Sequence, residues 1–227
     1  MNAILVCAGK GLRLRPYTNN IPKCLMPIKG KPLLEIWFEK LFSAGINNIL
    51  INTHYLSDQV DNFINHSKYK KSVTVVHEKK LLGTAGTLSE NISFYDNHDG
   101  IFLHADNYTL DNMKNFIKFH TNRPKDCLIS MMTFETNDPL NCGIIKKNRN
   151  NVVTKFYEKK KGNYGNEANG AVYILSKEFQ KLFLEKYSQS YDFSSEILSS
   201  MENQIVAYKT DKFFIDIGSV DNYNLVK

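Results

Sequence analysis

The sequence predicts an α/β fold: a mainly parallel mixed sheet flanked by helices, with a small antiparallel extension. Two observations carry that prediction. Through the first 133 residues, short apolar runs alternate with segments whose apolar residues recur at helical spacing. After residue 143 the rhythm changes to closely spaced strands around an Asn-rich turn. A strand that returns through a helix pairs in parallel, whereas a tight turn makes an antiparallel pair. The result is a Rossmann-like arrangement, in which loops at the carboxyl ends of the strands face a common cleft.

The elements follow in order. Residues 3–8 form a short apolar run ending in glycines, and so a buried strand. Residues 32–44 place Leu33, Ile36, Trp37 and Leu41 on one helical face and stop at Gly45. Strands at 49–51 and 73–76 bracket a helix at 58–64, and another helix starts at Thr84. Residues 100–104 are a fourth strand leading into Ala105-Asp106-Asn107, followed by a helix over 110–119 and a fifth strand over 127–133. The hairpin reading covers 143–145 and 152–157, with Asn148, Asn150 and Asn151 between them. A strand at 171–175, a helix at 178–186, short strands at 205–208 and 213–215, and a helix from Asp221 complete the chain.

Length and composition narrow the class. The 227 residues suit one domain over 1–227, long enough to bury a core without disulfides or a structural metal. Hydrophobic residues make up 42% and charged residues 23%, as in ordinary globular proteins. No apolar run approaches the roughly 20 residues of a membrane span. The N-terminus has no basic flank and no cleavage pattern, and Cys7, Cys24, Cys127 and Cys142 are scattered without a CxxC pair. Free thiols and a cytoplasmic location are the expectation. The net charge of +6 suits nucleic acid, a membrane surface or a small polyanion. The runs Lys70-Lys71 and Lys159-Lys160-Lys161 are short and read as solvated surface, so neither nucleic acid nor membrane is an expected partner.

The first loop carries the chemistry. Ala8-Gly9-Lys10-Gly11-Leu12-Arg13-Leu14-Arg15-Pro16 follows the first strand directly. Its glycines let backbone N–H groups approach an anion, and Arg13 and Arg15 add permanent charge. Lys23 follows on a turn stiffened by Pro22. A dinucleotide loop would want a third glycine and an acid closing the second strand, where Asn52-Thr53-His54 stands. A Walker loop would want Gly-Lys-Ser/Thr, and Leu12 follows Gly11. A phosphate site and a plain strand-to-helix turn stay level on this loop alone.

The run from Ala8 to Thr18, then Pro22-Lys23, then Pro27-Ile28-Lys29-Gly30-Lys31-Pro32-Leu33-Leu34, resembles the opening signature of the sugar-1-phosphate nucleotidylyltransferases. Further matches keep the family's order: Gly83-Thr84-Ala85-Gly86, Asp106, Glu158-Lys159, Asn169-Gly170-Ala171-Val172-Tyr173 and Phe214-Ile215-Asp216-Ile217-Gly218. The Gly-Thr-Ala-Gly loop, the short chain and the Phe-Ile-Asp-Ile-Gly ending look like those of mannose- and heptose-1-phosphate guanylyltransferases, which favours GTP. Three positions depart from the pattern: Ala8 where Gly is common, Leu12 where Thr or Ser usually precedes the Arg, and Lys160 where Pro follows Glu-Lys.

The resemblance implies a division of labour. Ala8, Gly9, Lys10 and Gly11 would hold the nucleotide's phosphates with Arg13, and Lys23 would contact the α-phosphate and the incoming phosphate. Gly83, Thr84 and Gly86 would read the base. Gly143, Glu158, Lys159 and Asn169 would hold the sugar phosphate, with Glu196 as a further acidic group near the sugar. Asp106 and Asp216 would ligate Mg2+, whose preference is for hard carboxylate oxygens. A phosphate oxygen is already a nucleophile at neutral pH, so catalysis reduces to positioning and charge stabilisation. The expected partners are a nucleoside triphosphate and a sugar 1-phosphate, with homo-oligomerisation open.

Three other readings remain at this point. One is a cytidylyltransferase for a non-sugar phosphate, with Tyr157, Tyr164 and Tyr173 as an aromatic cage for a cationic headgroup. Another is a glycosyltransferase, although Asn107-Tyr108 after Asp106 lacks the second acid of Asp-x-Asp. The third is a non-catalytic binding module, which would be expected to have lost Arg13, Lys23, Asp106 or Asp216.

Overall fold

A computed structural model describes residues 1–227. The first half contains β1 (Ala3–Val6), β2 (Pro27–Ile28), β3 (Lys31–Pro32), α1 (Leu33–Ser43), β4 (Ile49–Thr53), α2 (Ser57–His66), β5 (Val73–His77), α3 (Gly83–Asn91), β6 (Gly100–His104), β7 (Asn107–Thr109) and α4 (Met113–Thr121). The second half contains β8 (Ile129–Glu135), β9 (Gly143–Lys147), β10 (Val153–Glu158), β11 (Glu167–Leu175), α5 (Lys177–Lys186), β12 (Ile205–Lys209), β13 (Phe214–Asp216) and α6 (Val220–Asn224).

Nine strands form one twisted sheet in the order β10-β9-β11-β6-β1-β4-β5, with β8 beside β11 and β12 beside β8. The pairs β6-β1, β1-β4 and β4-β5 are parallel, as the intervening helices require. β11 enters antiparallel to β6, and β9 and β10 form the expected antiparallel hairpin. Both faces of β1 are buried: Ala3 and Leu5 join one apolar core, and Ile4 joins the other. That alternation is why the strand reads as a continuous apolar run and not as a polar-apolar alternation.

α1 lays Leu33, Leu34, Trp37, Phe38 and Leu41 against the sheet. The spacing of these positions brings them to one side of a 3.6-residue turn. Each large side chain removed from water contributes about 1.5–3 kcal/mol. Trp37 also donates its indole N–H to the Asn107 carbonyl at 2.8 Å, which ties α1 to β7 beneath the cleft.

Three differences between the sequence reading and the structure lie near the cleft. The helix expected from residue 110 begins at Met113, with the Asn112 side chain accepting from the Lys114 N–H at 2.9 Å. Leu110 donates its N–H to the Phe213 carbonyl at 2.9 Å, extending a β7–β13 ladder that the sequence reading missed. β7 is only three residues long, too short to show alternation. The third difference is a π-helical turn at Phe193–Ile197, capped by Asp192.

Candidate active site

The cleft lies where the sequence motifs converge, at the carboxyl ends of β1 and β6. After Val6 the chain leaves the sheet, and the Cys7 N–H is held by the Asn52 side chain at 2.7 Å. The backbone N–H groups of Gly9, Lys10 and Gly11 then donate to no protein acceptor. Around Gly9, the space a Cβ would fill is empty, so an incoming group can lie directly on the backbone. Gly11 adopts φ +63° and packs over Thr18, whose hydroxyl donates to the Gly11 carbonyl at 2.7 Å. A side chain here would meet both backbone strain and the Thr18 methyl group. Ala8 is buried, while Lys10 and Arg13 are exposed.

Asp106 and Asp216 come from opposite halves of the chain and are joined by the β7–β13 ladder. Asn107 pairs with Asp216, and the Ile217 N–H donates to the Asp106 carbonyl at 3.0 Å. Lys23 lies between them, with its Nζ 2.5 Å from Asp106 Oδ2 and 3.4 Å from Asp216 Oδ1. Its side chain is only 11% exposed. Arg13 approaches Asp216 at 3.7 Å. Gly218 makes room for this arrangement, since a Cβ there would stand 2.8 Å from both the Arg13 guanidinium and the Asp216 carboxylate.

The electrostatics of the trio are unbalanced. Burial alone would lower the Lys23 pKa, but Asp106 and Asp216 outweigh it and raise it. Burial would raise the Asp106 pKa, but Lys23 and His104 hold it below the ordinary value. Asp216 is pushed upward, first by enclosure and then by the neighbouring Asp106 charge, with Lys23 and Arg13 only partly offsetting them. Two carboxylates therefore share one buried ammonium, and the second carboxylate lacks sufficient positive charge. Hard oxygen donors converging in this charge state fit a divalent cation.

Two joined cavities meet here. One, of about 170 Å³, runs from Gly9 and Lys23 to Thr84. The other, of about 220 Å³, is lined by Arg13, Gly143, Glu158, Lys159 and Asn169. His104 and Asp106 line both. A larger groove of about 760 Å³ lies elsewhere, along α1 and α2, and contains none of these motif residues. Charge convergence, rather than size, selects the smaller cavities.

The sugar-side residues are positioned by the hairpin and by a bulge. Glu158 ends β10 opposite Gly143, where a Cβ would stand 2.7 Å from Glu158 Oε2. Gly143 thus lets the carboxylate lie across its neighbour strand. Lys159 takes a left-handed φ of +46° and its Nζ lies 3.4 Å from Glu158 Oε1. The register of β11 shifts between Asn169 and Tyr173, a bulge stabilised by the Asn169 side chain accepting from the Ala171 N–H at 2.9 Å.

The remaining expected residues sit at the start of α3 and in the segment 191–197. The side-chain position at Gly83 is filled by Tyr191, and that at Gly86 faces Leu82, so both glycines permit chain-to-chain packing. The Thr84 hydroxyl is engaged by Asp192 and the Phe193 N–H. Glu196 accepts from the Tyr191 and Asp192 N–H groups and so holds a turn. The proposed aromatic cage is corrected: Tyr157 and Tyr164 stack at 4.0 Å with no gap for a cation, and Tyr173 is fully buried. Sequence reasoning passed over His104, Asp192 and Ser194, which also line the cleft. Their one sequence signal was proximity to Asp106 and Glu196.

Known proteins resemble this chain over nearly its whole length. The chain is 28% identical to a D-glycero-alpha-D-manno-heptose 1-phosphate guanylyltransferase from Campylobacter jejuni, covering 98% of this chain and 97% of that one. It is 26% identical to the mannose-1-phosphate guanyltransferase of Saccharomyces cerevisiae, of which it spans 63%. HddC from Yersinia pseudotuberculosis, solved in complex with GMP-PN, shares the fold with a TM-score of 0.79 and 24% identity, covering 99% of this chain and 97% of that one. The family model described as nucleotidyl transferase matches residues 2–226, and the chain belongs to that family.

Proposed function

We propose that the chain transfers GMP from GTP to a sugar 1-phosphate, giving a GDP-sugar and pyrophosphate, with magnesium held by Asp106 and Asp216. The observation that carries this reading is the junction itself: a loop of free amides on one side, a polar cavity on the other, and Lys23, Asp106 and Asp216 between them. Guanylyl transfer is favoured over cytidylyl transfer because the compared relatives are guanylyltransferases and the aromatic cage is closed.

A phosphate oxygen of the sugar 1-phosphate attacks the α-phosphorus of GTP. The bond to the bridging oxygen breaks, and pyrophosphate leaves with its electron pair. The N–H groups of Gly9 to Gly11 and the Arg13 guanidinium take up charge on the departing oxygens. Lys23 sits between the two cavities and offsets repulsion between the α-phosphate and the incoming phosphate. Lys159 meets the sugar's phosphate, and Glu158 accepts from its hydroxyls. Magnesium supplies Lewis-acid polarisation and charge when bound. No protein nucleophile is required.

All four cysteines are free thiols, which accords with a reducing compartment, and we place the protein in the cytoplasm. No helix is long and apolar enough to cross a membrane. The test is a pyrophosphate-release panel crossing four nucleoside triphosphates with several sugar 1-phosphates, in magnesium. Release with GTP and a mannose or heptose 1-phosphate is expected. Release only with CTP, or with none of the triphosphates, contradicts the proposal.

A further inference from the structure

One short segment touches both halves of the cleft. Gly83, at φ +75°, lets the start of α3 pack under Tyr191, and the Ala85 N–H donates to the Tyr191 carbonyl at 3.0 Å. The Thr84 hydroxyl donates to Asp192 Oδ2 at 3.2 Å and accepts from the Phe193 N–H at 2.7 Å. Its proton and a lone pair are both engaged. The segment then coils into the π-helical turn Phe193–Ile197, a rare conformation that needs support from its surroundings. Support comes from Phe193 and Ile197, both fully buried, and from Asp192 Oδ1, which accepts the Ser195 N–H at 2.8 Å. On the far side of the turn, the Ser194 hydroxyl donates to Glu158 Oε2 at 2.8 Å.

We propose that this turn is a positioning element that couples the nucleotide loop to the sugar-phosphate cavity, with Ser194 aiming the Glu158 carboxylate. The proposal rests on the guanylyltransferase reading for the identity of the two substrates. The two outer links are hydrogen bonds, Thr84 to Asp192 and Phe193 and Ser194 to Glu158, and the buried turn that contains Ser194 joins them through the backbone. Asn169 Nδ2 reaches the same hydroxyl at 3.4 Å and the Tyr173 hydroxyl at 2.7 Å, so the acceptor side of Ser194 is also directed. A displacement of the α3 N-terminus by the nucleotide would therefore move Ser194 and reorient Glu158. Thr84 would act on the sugar phosphate without touching it.

Steady-state kinetics of full-length Thr84→Val, Ser194→Ala and Ser194→Thr, with GTP, mannose 1-phosphate and magnesium, test this. Ser194→Ala is expected to raise KM for mannose 1-phosphate about tenfold while KM for GTP stays within about twofold. Ser194→Thr keeps the hydroxyl and is expected to restore most of the loss. Thr84→Val is expected to raise KM for the sugar phosphate several-fold, and the double variant should not exceed the KM of Ser194→Ala alone, because both act through one carboxylate. If Thr84→Val changes only KM for GTP, or if the two effects multiply, the coupling is overturned.

Amide hydrogen exchange gives a second readout that needs no substrate. In Thr84→Val, faster exchange is expected both in residues 191–197 and in β10, which carries Glu158. Unchanged exchange in β10 overturns the proposal. Should the wild type turn over GTP with neither mannose nor heptose 1-phosphate, the guanylyltransferase reading fails by itself and the exchange result still decides the coupling.

Discussion

β6 carries an aspartate at each end, and the two are built in opposite ways. Asp99 precedes the strand. Its Oδ2 accepts from His120 Nε2 at 3.0 Å with Arg123 at 3.7 Å, and its Oδ1 accepts from the Lys177 N–H at 3.0 Å. His120 in turn meets the Ser130 hydroxyl at 2.8 Å through Nδ1. The His120 hydrogen bond, the Lys177 N–H and Arg123 together pull the Asp99 pKa from 3.8 down to about 2. Asp106 follows the same strand and faces a second carboxylate, with one buried ammonium for both. The first cluster is complete in the folded chain, whereas the second is complete only with added positive charge. A saturated ion cluster serves stability, and one left short of charge at the carboxyl end of a parallel strand is a site.

The contrast is sharpest under substitution. Asp106→Asn is expected to lower kcat/KM by about 10³-fold, as loss of a central electrostatic group does, with the fold retained. Circular dichroism alongside pyrophosphate release checks both parts. A smaller kinetic effect, about 10²–10³-fold, is expected for Lys23→Ala. This variant also leaves Asp106 and Asp216 facing each other without their shared cation. Its melting temperature is expected to fall in chelator and to recover when magnesium is added. Recovery of stability without recovery of turnover would separate the lysine's charge-matching from its contact with phosphate.

Asp99→Asn is the opposite case. It is expected to cost on the order of 2 kcal/mol of stability while kcat/KM stays within about twofold. Chemical denaturation and the same release assay read it. The smallest expected effect is in the acid limb of stability. His120 has its pKa lowered from 6.5, mainly by burial, so the unfolded chain takes up a proton before the folded one does. Its contribution is complete above pH 6.5 and declines as pH falls below that value. The Asp99 contribution is complete above pH 3.8 and is lost as pH falls towards about 2. Melting temperatures measured across this range should decline in those two stages, and Asp99→Asn should remove the lower one.

Much of this was legible in the sequence, for identifiable reasons. The parallel half of the sheet was readable because β1, β4 and β6 are buried on both faces and so appear as unbroken apolar runs. Lys23, Asp106 and Asp216 were marked by the resemblance of their surrounding motifs, in order along the chain, to those of the sugar-1-phosphate nucleotidylyltransferases. The β7–β13 ladder was not readable, because three-residue strands carry no period, yet it is what brings the two aspartates together. The roles of Thr84 and Glu196 were also hidden. Thr84 bonds to the start of a π-helical turn and Glu196 lies within it, and the turn's sequence, Phe193-Ser194-Ser195-Glu196-Ile197, has no turn or helix signal strong enough to predict it. Gly143 and Gly218 were visible as glycines. Their reason is clearance, of Glu158 on the strand opposite Gly143 and of Asp216 and Arg13 beside Gly218, which depends on how the chain folds back.

The most direct test of the central claim follows phosphorus. A 31P NMR time course with full-length protein, GTP, magnesium and mannose 1-phosphate should show GTP and the phosphomonoester signal falling as a GDP-sugar and pyrophosphate appear together. Asp99→Asn should give the same course, and Asp106→Asn should give almost none of it. Wild-type turnover in Asp106→Asn, or loss of turnover in a folded Asp99→Asn, would contradict the assignment of the site to the carboxyl end of β6.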